Sequence, residues 1–373
     1  MKLINSFKVA LGVAPLAVLA LTTARPATAA SFNSYAITDL GTFGGNNSAA
    51  YGINISGQVV GNADITSGDT SAFLYNGTRQ NLGTLGGSNS AAYGINNSGQ
   101  VVGSSDTING STNAFLYNNG ALQDLGTFGG SFSQARGINT SGQVVGGAST
   151  ASGDLNAFLY SGGALQDLGT LGGSSSFAYG INTSGQVVGF SDTSSGASHA
   201  FLYNGTLQNL STLGGSNSEA YSINTSGQVV GFSDTSSGDS HAFLYNGGAL
   251  QDLGTLGGTT SFAYGINDVG QVVGTSDVGG LTGTGGSHAF LYNSGTLADL
   301  NSLIPTNSGW TLNTANAINS GGQIVGTGTI DGRSHAFELT PVAAVPEPTD
   351  GLASLVFGGL LGAGAVWKRK RKQ

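Results

Sequence analysis

The chain has 373 residues, of which 65 are Gly, and only 8% carry a charged side chain, against roughly a quarter in an ordinary globular protein. Residues 31–348 hold three Arg and 18 acidic residues, because the other eight basic side chains lie near the two ends. This balance excludes nucleic-acid binding by phosphate neutralisation. The absence of Lys between residues 9 and 367 excludes a phosphate loop and a Schiff-base lysine there, and the absence of Cys excludes thiolate chemistry.

The N-terminus has the pattern of a secretory signal. Lys2 and Lys8 precede an apolar run over residues 9–21, and Ala27 and Ala29 provide the small side chains that signal peptidase requires at a cleavage site. We therefore expect residues 1–30 to be a signal peptide that is removed on export.

The middle of the chain is one unit repeated seven times, mostly at steps of 42 or 43 residues. Three markers recur in each unit, and repeats with a period of 40–45 residues and four strands are typical of β-propellers. Asp-Leu-Gly-Thr-Phe-Gly-Gly or a variant begins at residues 39, 81, 124, 167, 209, 252 and 299. Gly-Ile-Asn-x-Ser-Gly-Gln-Val-Val-Gly or a variant begins at 52, 94, 137, 180, 222, 265 and 317, and Ala-Phe begins at 72, 114, 157, 200, 242, 289 and 336.

The sequence of each unit predicts four short strands. In the second unit these are residues 92–96, 100–104, 114–117 and 121–125. Successive strand residues are both apolar, so both faces of each small sheet must be covered by neighbouring units. We predict an all-β fold, a seven-bladed β-propeller of four-stranded blades over residues 31–340, with an open β-solenoid as the alternative.

The two ends of the repeat region favour a closed ring. Residues 35–40 form a lone fourth strand before the first full unit, and residues 336–339 form a third strand with no fourth strand after it. One end therefore completes the blade of the other. The sequence leaves open which strand of each blade is innermost.

The repeat resembles the HAF repeats of extracellular bacterial proteins, named for the His-Ala-Phe that begins here at His199, His241, His288 and His335. The other three units have Ser or Asn in place of the His. All four His occupy one repeat position, which indicates a structural role, and the resemblance implies no activity.

No catalytic residue is predicted. A glycosidase needs a non-equivalent acid and base, and the acids that break the repeat, Glu219, Asp268, Asp331 and Glu338, are not paired in the sequence. The repeated acids instead fall in loops at one end of every blade, because alternating strands send the second-to-third and fourth-to-first connections to the same side. The carboxylates of this acidic face suit either a Ca²⁺ site that includes Asp192, Asp234 and Asp239 or a solvated surface that keeps the exported protein soluble, and no other cofactor is predicted.

The C-terminus has three parts in order: a linker over residues 341–350 with Pro346, Glu347 and Pro348, an uncharged apolar stretch over 351–367, and a basic tail over 368–373. The apolar stretch predicts a transmembrane helix, and the basic tail should stay cytoplasmic. This arrangement resembles the PEP-CTERM sorting signal of Gram-negative bacteria and cyanobacteria. The resemblance implies processing by an exosortase and delivery to the cell surface or extracellular matrix, with a permanent single-span anchor as the alternative.

Together these features predict an exported, non-enzymatic propeller that is membrane-anchored at least transiently. Its expected role is binding or architecture, with exopolysaccharide or another surface protein as the ligand. The alternatives are a propeller glycosidase or lyase acting on extracellular polysaccharide, and a structural spacer without a ligand.

Overall fold

The computed structural model of the chain describes residues 34–279 and 286–342. The predicted signal peptide, the Pro346-Glu347-Pro348 motif, the predicted membrane helix and the basic tail lie outside these residues. Within the two described ranges, no helix is long and apolar enough to cross a bilayer.

The described residues form seven four-stranded antiparallel blades, which confirms the predicted propeller. A single parallel bridge between Phe132 and Thr112 links the second and third blades. The strands of the first three blades are β2 Gly44–Ile53, β3 Val59–Ile65, β4 Thr70–Tyr75 and β5 Arg79–Gly83; β6 Gly86–Ile95, β7 Val101–Thr107, β8 Thr112–Asn118 and β9 Ala121–Asp124; and β10 Gly129–Ile138, β11 Val144–Thr150, β12 Leu155–Ser161 and β13 Ala164–Asp167.

The next three blades follow the same plan, and the seventh is built from both ends of the described chain. A short 3-10 helix, Leu300–Ser302, lies before this last blade. The strands are β14 Gly172–Ile181, β15 Val187–Thr193, β16 Ser198–Tyr203 and β17 Leu207–Asn209; β18 Gly214–Ile223, β19 Val229–Thr235, β20 Ser240–Tyr245 and β21 Leu250–Asp252; β22 Gly257–Ile266, β23 Val272–Val278, β24 Ser287–Asn293 and β25 Thr296–Asp299; and β26 Thr311–Ile318, β27 Ile324–Ile330, β28 Arg333–Pro341 and β1 Tyr35–Asp39.

The ring closes as the sequence predicts. Strand β1 pairs with β28 in antiparallel register, from Tyr35 opposite Pro341 to Asp39 opposite Phe337. The first strand of the region thus completes the last blade, and a closed ring replaces the open solenoid that the repeat also allowed.

The first strand of each blade is innermost. Each of these strands contacts its counterpart in the next blade, and β26 contacts β2.

The innermost strands are also longer than predicted: β6 begins at Gly86, whereas a start at residue 92 was expected. The prediction was wrong because a Gly/Ser-rich segment has the composition of a loop, yet here it pairs with the second strand on both sides of a register shift. Gly87 permits this pairing, since a Cβ at that position would overlap Asp106.

The hydrophobic core lies between the blades rather than at the centre of the ring. Val59 belongs to the cluster shared with the seventh blade, and Val60 to the cluster shared with the second. This arrangement explains why both residues of each Val-Val pair are apolar. The Phe of the Ala-Phe marker is fully buried in all seven blades, and burial of a side chain of this size contributes about 1.5–3 kcal/mol.

The Gly that follows each Val-Val pair is required by close backbone packing. In the first blade, a Cβ on Gly61 would overlap the carbonyl oxygen of Ala49 in the neighbouring strand. The same overlap occurs in the other blades. In the Val-Val-Gly sequence, the two Val therefore pack on opposite faces of the blade, and the Gly allows the backbone of the inner strand to approach closely.

The central channel as a candidate binding site

The inner strands bring one short motif, Tyr-Gly-Ile-Asn in most units, to the wall of the central channel. Each inner strand runs from the acidic face towards the turn after the Asn. The Tyr, Ile and Asn side chains of the motif therefore form three successive rings along the channel. The ring at the far end consists of Asn54, Asn96, Asn139, Asn182, Asn224, Asn267 and Asn319. Next come the seven Ile that precede these Asn, and nearest the acidic face are Tyr51, Tyr93, Arg136, Tyr179, Tyr221, Tyr264 and Asn316.

The asparagine ring is structural. The Oδ1 atom of Asn182 accepts hydrogen bonds from the backbone N–H groups of Ser184 and Gln186, at 3.1 and 3.0 Å. Its Nδ2 atom donates to Oε1 of Gln186 at 2.8 Å and to the carbonyl oxygen of Asn224 in the next blade at 3.2 Å. The Asn thus closes its own turn and ties one blade to the next.

The seven side chains nearest the acidic face, here called the tyrosine ring, surround a cavity of about 300 Å³. Its side chains are half-buried, and neighbouring rings touch: the centroids of Tyr51 and Tyr93 are 5.2 Å apart, and those of Tyr179 and Tyr221 are 5.0 Å apart. Ligand pockets are concave, mostly apolar or aromatic, and contain a few fixed polar groups. The cavity has this character, and its polar groups come from the Tyr hydroxyls, Arg136 and Asn316.

Arg136 replaces Tyr in the third unit and lies among the aromatic rings. Its guanidinium carbon is 4.0 Å from the ring centroid of Tyr93 and 6.0 Å from that of Tyr179. Its Nε donates a hydrogen bond to Oε1 of Gln134 at 2.9 Å. Within residues 34–279 and 286–342, no carboxylate lies within 4.0 Å of this guanidinium.

One side of the channel forms a continuous aromatic wall. In the fourth to sixth blades, the ring tyrosines contact phenylalanines on the first and second strands; the centroids of Phe177 and Tyr179 are 4.9 Å apart, and those of Tyr221 and Phe232 are 6.0 Å apart. Phe232 in turn contacts Phe262 of the next blade, with 5.0 Å between their centroids. The third blade has Gly147 where the fourth has Phe190, and a Cβ on Gly147 would overlap the ring of Phe177. The channel is therefore asymmetric although the repeat is regular.

Glu219 lies within this aromatic wall. The hydroxyl of Tyr179 donates to Oε2 of Glu219 at 3.4 Å. Burial raises the pKa of the Glu219 carboxyl above its usual value, and hydrogen bonds from Tyr221 and Tyr179 offset part of this effect. The same burial, together with the negative charge of Glu219, raises the pKa of Tyr179 and Tyr221. Perturbed titratable groups in a cleft are typical of functional sites.

The inner strand combines constant positions with a variable position two residues before the Tyr. Three residues after Tyr51 and its equivalents, every one of the seven units has Asn. Immediately before Tyr51 and its equivalents, every unit has Ala. The position two residues before the Tyr differs widely, although it belongs to the same strand. Its occupants are Ala49, Ala91, Gln134, Phe177, Glu219, Phe262 and Thr314.

Of the aspartates predicted to bind Ca²⁺, only Asp239 lies in a loop; Asp192 and Asp234 lie near the ends of β15 and β19 in two neighbouring blades, because these strands extend further than predicted and pair with the strand that follows. Asp192 accepts a hydrogen bond from Oγ of Ser198 at 2.6 Å, and Asp234 accepts one from Oγ of Ser240 at 2.8 Å. Asp239 accepts one from Oγ of Ser237 at 2.9 Å. In the part of the chain that the structure describes, no three His, Cys, Asp or Glu side chains form a cluster suited to a metal ion.

The four His of the repeat connect the third and fourth strands of their blades. Nδ1 of His241 lies 2.8 Å from Oδ2 of Asp252, and Nδ1 of His335 lies 2.9 Å from Oδ2 of Asp39. In the second blade, Nδ2 of Asn113 donates to both oxygens of Asp124 instead. An Asn side chain thus makes the same connection, which explains why the His varies between units.

No family model matches the chain, and no curated protein does. Among solved structures, TolB from Acinetobacter baumannii has a TM-score of 0.44 at 12% identity; the match covers 74% of this chain and 60% of TolB, so this chain spans about 60% of the length of that relative. The WD40 β-propeller domain of Doa1 has a TM-score of 0.43 at 13% identity, with 81% of this chain and 96% of that domain covered. The BP39L lectin from Burkholderia pseudomallei has a TM-score of 0.39 at 11% identity, with 84% and 99% covered. These similarities carry no argument about what this chain binds.

Proposed function

We propose that this chain is an exported, non-enzymatic binding propeller of the cell surface or extracellular matrix, and that it binds polysaccharide in its central channel. The observation that carries the proposal is the cavity of about 300 Å³ inside the tyrosine ring. Aromatic rings offer flat apolar faces to the C–H surfaces of a sugar, while hydroxyl, amide and guanidinium groups fix its hydroxyls. The ring of five Tyr with Arg136 and Asn316 supplies both.

The scaffold is suited to a rigid binding site. Buried apolar clusters fill the spaces between the blades, and buried hydrogen bonds cross from one blade to the next, such as that from the backbone N–H of Ala72 to Oγ of Ser90 at 2.9 Å. Rings held in this way lose little entropy when a ligand stacks on them.

The position of the two ends fits attachment through a C-terminal tail. Tyr35 and Pro341 are paired in the seventh blade, at the end of the ring where the asparagine turns lie. A C-terminal tail that follows residue 342 therefore leaves the ring from the face opposite the acidic face. In this proposal, signal peptidase processes the N-terminus and an exosortase processes the C-terminus, because the residues at these two ends resemble the substrates of those enzymes.

The first test measures binding of the protein, purified from its producing cells, to the exopolysaccharide of those cells, with Ca²⁺ and with a chelator, while released sugar is monitored. We expect saturable binding without release. Tyr221→Ala should weaken binding roughly fivefold, because a stacked ring is worth about 0.5–1.5 kcal/mol. The control Asp239→Asn lies on the acidic face and should bind as the unaltered protein does.

Other outcomes separate the alternatives. Loss of binding in Asp239→Asn and on chelation would place the ligand at a Ca²⁺ site on the acidic face. Release of sugar that Glu219→Gln abolishes would identify a glycosidase or lyase. Absence of binding under both conditions would overturn the polysaccharide proposal and favour a protein partner or a spacer.

A further inference from the structure

Arg136 is the only basic side chain that lines the channel in the described ranges. The other two Arg there, Arg79 and Arg333, lie elsewhere; Arg79 stacks on Phe43, and Arg333 is exposed at the start of β28. Residues 31–348 contain 18 acids against three Arg. In so acidic a chain, a half-buried guanidinium without a carboxylate neighbour is unexpected if its role is structural.

The two terminal amino groups of Arg136 are available to a ligand. Nε is occupied by Gln134, and the face of the guanidinium is covered by Tyr93. Neither terminal amino group donates a hydrogen bond to another described residue. The stacking and the Gln134 bond together hold the planar group at one orientation, with its outer edge free.

A guanidinium edge recognises a carboxylate through two parallel N–H···O hydrogen bonds, and such charge-assisted pairs are among the strongest hydrogen bonds in proteins. The remaining wall of the cavity consists mainly of tyrosine rings. A ligand that matches both features has a carboxylate attached to a ring with apolar faces and hydroxyl groups.

We infer that the channel binds a carboxylated sugar, a uronate residue at the end of a saccharide, with its carboxylate on Arg136 and its ring on the tyrosines. The cavity of about 300 Å³ lies at the lower limit of ligand pockets, which suits one sugar residue rather than a chain passing through. This inference rests on the proposed function and specifies the ligand of the same site.

The acidic loops do not prevent this contact. At physiological ionic strength, exposed charges more than about 8 Å apart are largely screened, whereas the guanidinium meets the carboxylate directly. Glu219, whose carboxyl accepts a hydrogen bond from the hydroxyl of Tyr179, does not lie within 4.0 Å of the guanidinium.

The test compares methyl β-D-glucuronide with methyl β-D-glucoside, which differ by a carboxylate in place of a hydroxymethyl group. Binding to the protein purified from its producing cells is measured by titration calorimetry at physiological salt. We expect the glucuronide to bind at least about tenfold more tightly than the glucoside. Arg136→Gln should remove this difference, whereas the control Arg333→Gln should retain it, with the melting temperature of both variants confirming that they fold.

Equal affinity for the two sugars, unchanged in Arg136→Gln, would overturn the carboxylate inference and leave the proposed sugar binding intact. Binding of exopolysaccharide without binding of either small sugar would place the site outside the channel. Failure of all three ligands would overturn the inference and the proposed function together.

Discussion

The Nδ2 atom of Asn319 donates a hydrogen bond to the carbonyl oxygen of Asn54 at 3.0 Å. These residues belong to the last and first units of the repeat, and the bond is the same as the one that joins each of the other neighbouring pairs, such as Asn182 and Asn224. It completes a circle of seven asparagines inside the ring of blades. The closure therefore reaches the innermost part of the propeller and is not confined to the pairing of β1 with β28.

Replacement of one ring asparagine should destabilise the whole propeller. Asn182→Ala leaves two backbone N–H groups without their partner and removes one of the two hydrogen bonds that the carbonyl oxygen of Asn224 accepts, which costs about 2–4 kcal/mol. Thermal unfolding followed by circular dichroism measures the effect. The exposed neighbour Thr183→Ala is the control, and its change should stay within about 0.5 kcal/mol; equal effects of the two substitutions would contradict the role of the ring.

Ring closure predicts equal costs at two equivalent leucines. Leu40 is buried between the seventh and first blades, and Leu82 lies at the same repeat position between the first and second. Because both are packed in a closed ring, Leu40→Ala and Leu82→Ala should each cost about 2–5 kcal/mol in denaturant unfolding. If Leu40→Ala cost little while Leu82→Ala cost the full amount, the two ends of the chain would not be joined.

The number of blades, the closure and the two-sided burial of each sheet could be predicted from the sequence, because a regular repeat presents each signal seven times. The innermost strand and its length could not. The choice depends on which long connection crosses between blades, and the Gly-Gly-Ser segments that extend strands such as β6 have the composition of loops. Only the backbone contact at residues such as Gly87 shows that these segments pair.

The Gly of Val-Val-Gly should tolerate no side chain. In Gly189→Ala, the new Cβ would overlap the carbonyl oxygen of Phe177, and the inner strand would have to move. We expect a loss of about 3 kcal/mol or more, or failure to fold, judged by soluble yield and melting temperature. Gly248, which has open space around it and no positive φ, is the matched control; an Ala at residue 189 as harmless as one at 248 would show that the strands are not in contact there.

Removal of the Glu219 carboxyl should stabilise the protein at neutral pH. Burial raises the pKa of this group, so the folded chain keeps a proton that the unfolded chain releases as the pH rises above the usual value of 4.5. The contribution of this group to the free energy of unfolding therefore decreases as the pH rises from the usual pKa to the raised pKa, and it stays at the lower value at higher pH. Glu219→Gln should melt about 2 °C higher than the unaltered protein at neutral pH.

Below about pH 3 the two proteins should melt at closely similar temperatures, because residue 219 is then uncharged in both proteins, whether folded or unfolded. A difference that is independent of pH would show that Glu219 is not buried in the aromatic wall.

The candidate site was only partly accessible to sequence reasoning. An exopolysaccharide ligand was expected, but the tyrosine ring was not identified, because the Tyr before Gly-Ile-Asn points into the channel only if its strand is innermost. A usable signal was present: Arg136, Glu219 and Asn316 break the repeat at two positions of that strand, whereas the adjoining Ala and Asn are the same in all units. A ligand site was expected instead at the repeated acids, such as Asp234, which lies in β19 and whose carboxylate accepts hydrogen bonds from Ser240 and Asn217.

The central claim is that the channel is where the sugar binds, and a crystal structure of the protein soaked with methyl β-D-glucuronide tests it most directly. The account predicts density for one sugar inside the tyrosine ring, with its carboxylate within hydrogen-bond distance of the terminal amino groups of Arg136 and its ring against a Tyr face. Density confined to the acidic loops or to the outer edges of the blades, with the channel free of sugar, would contradict it.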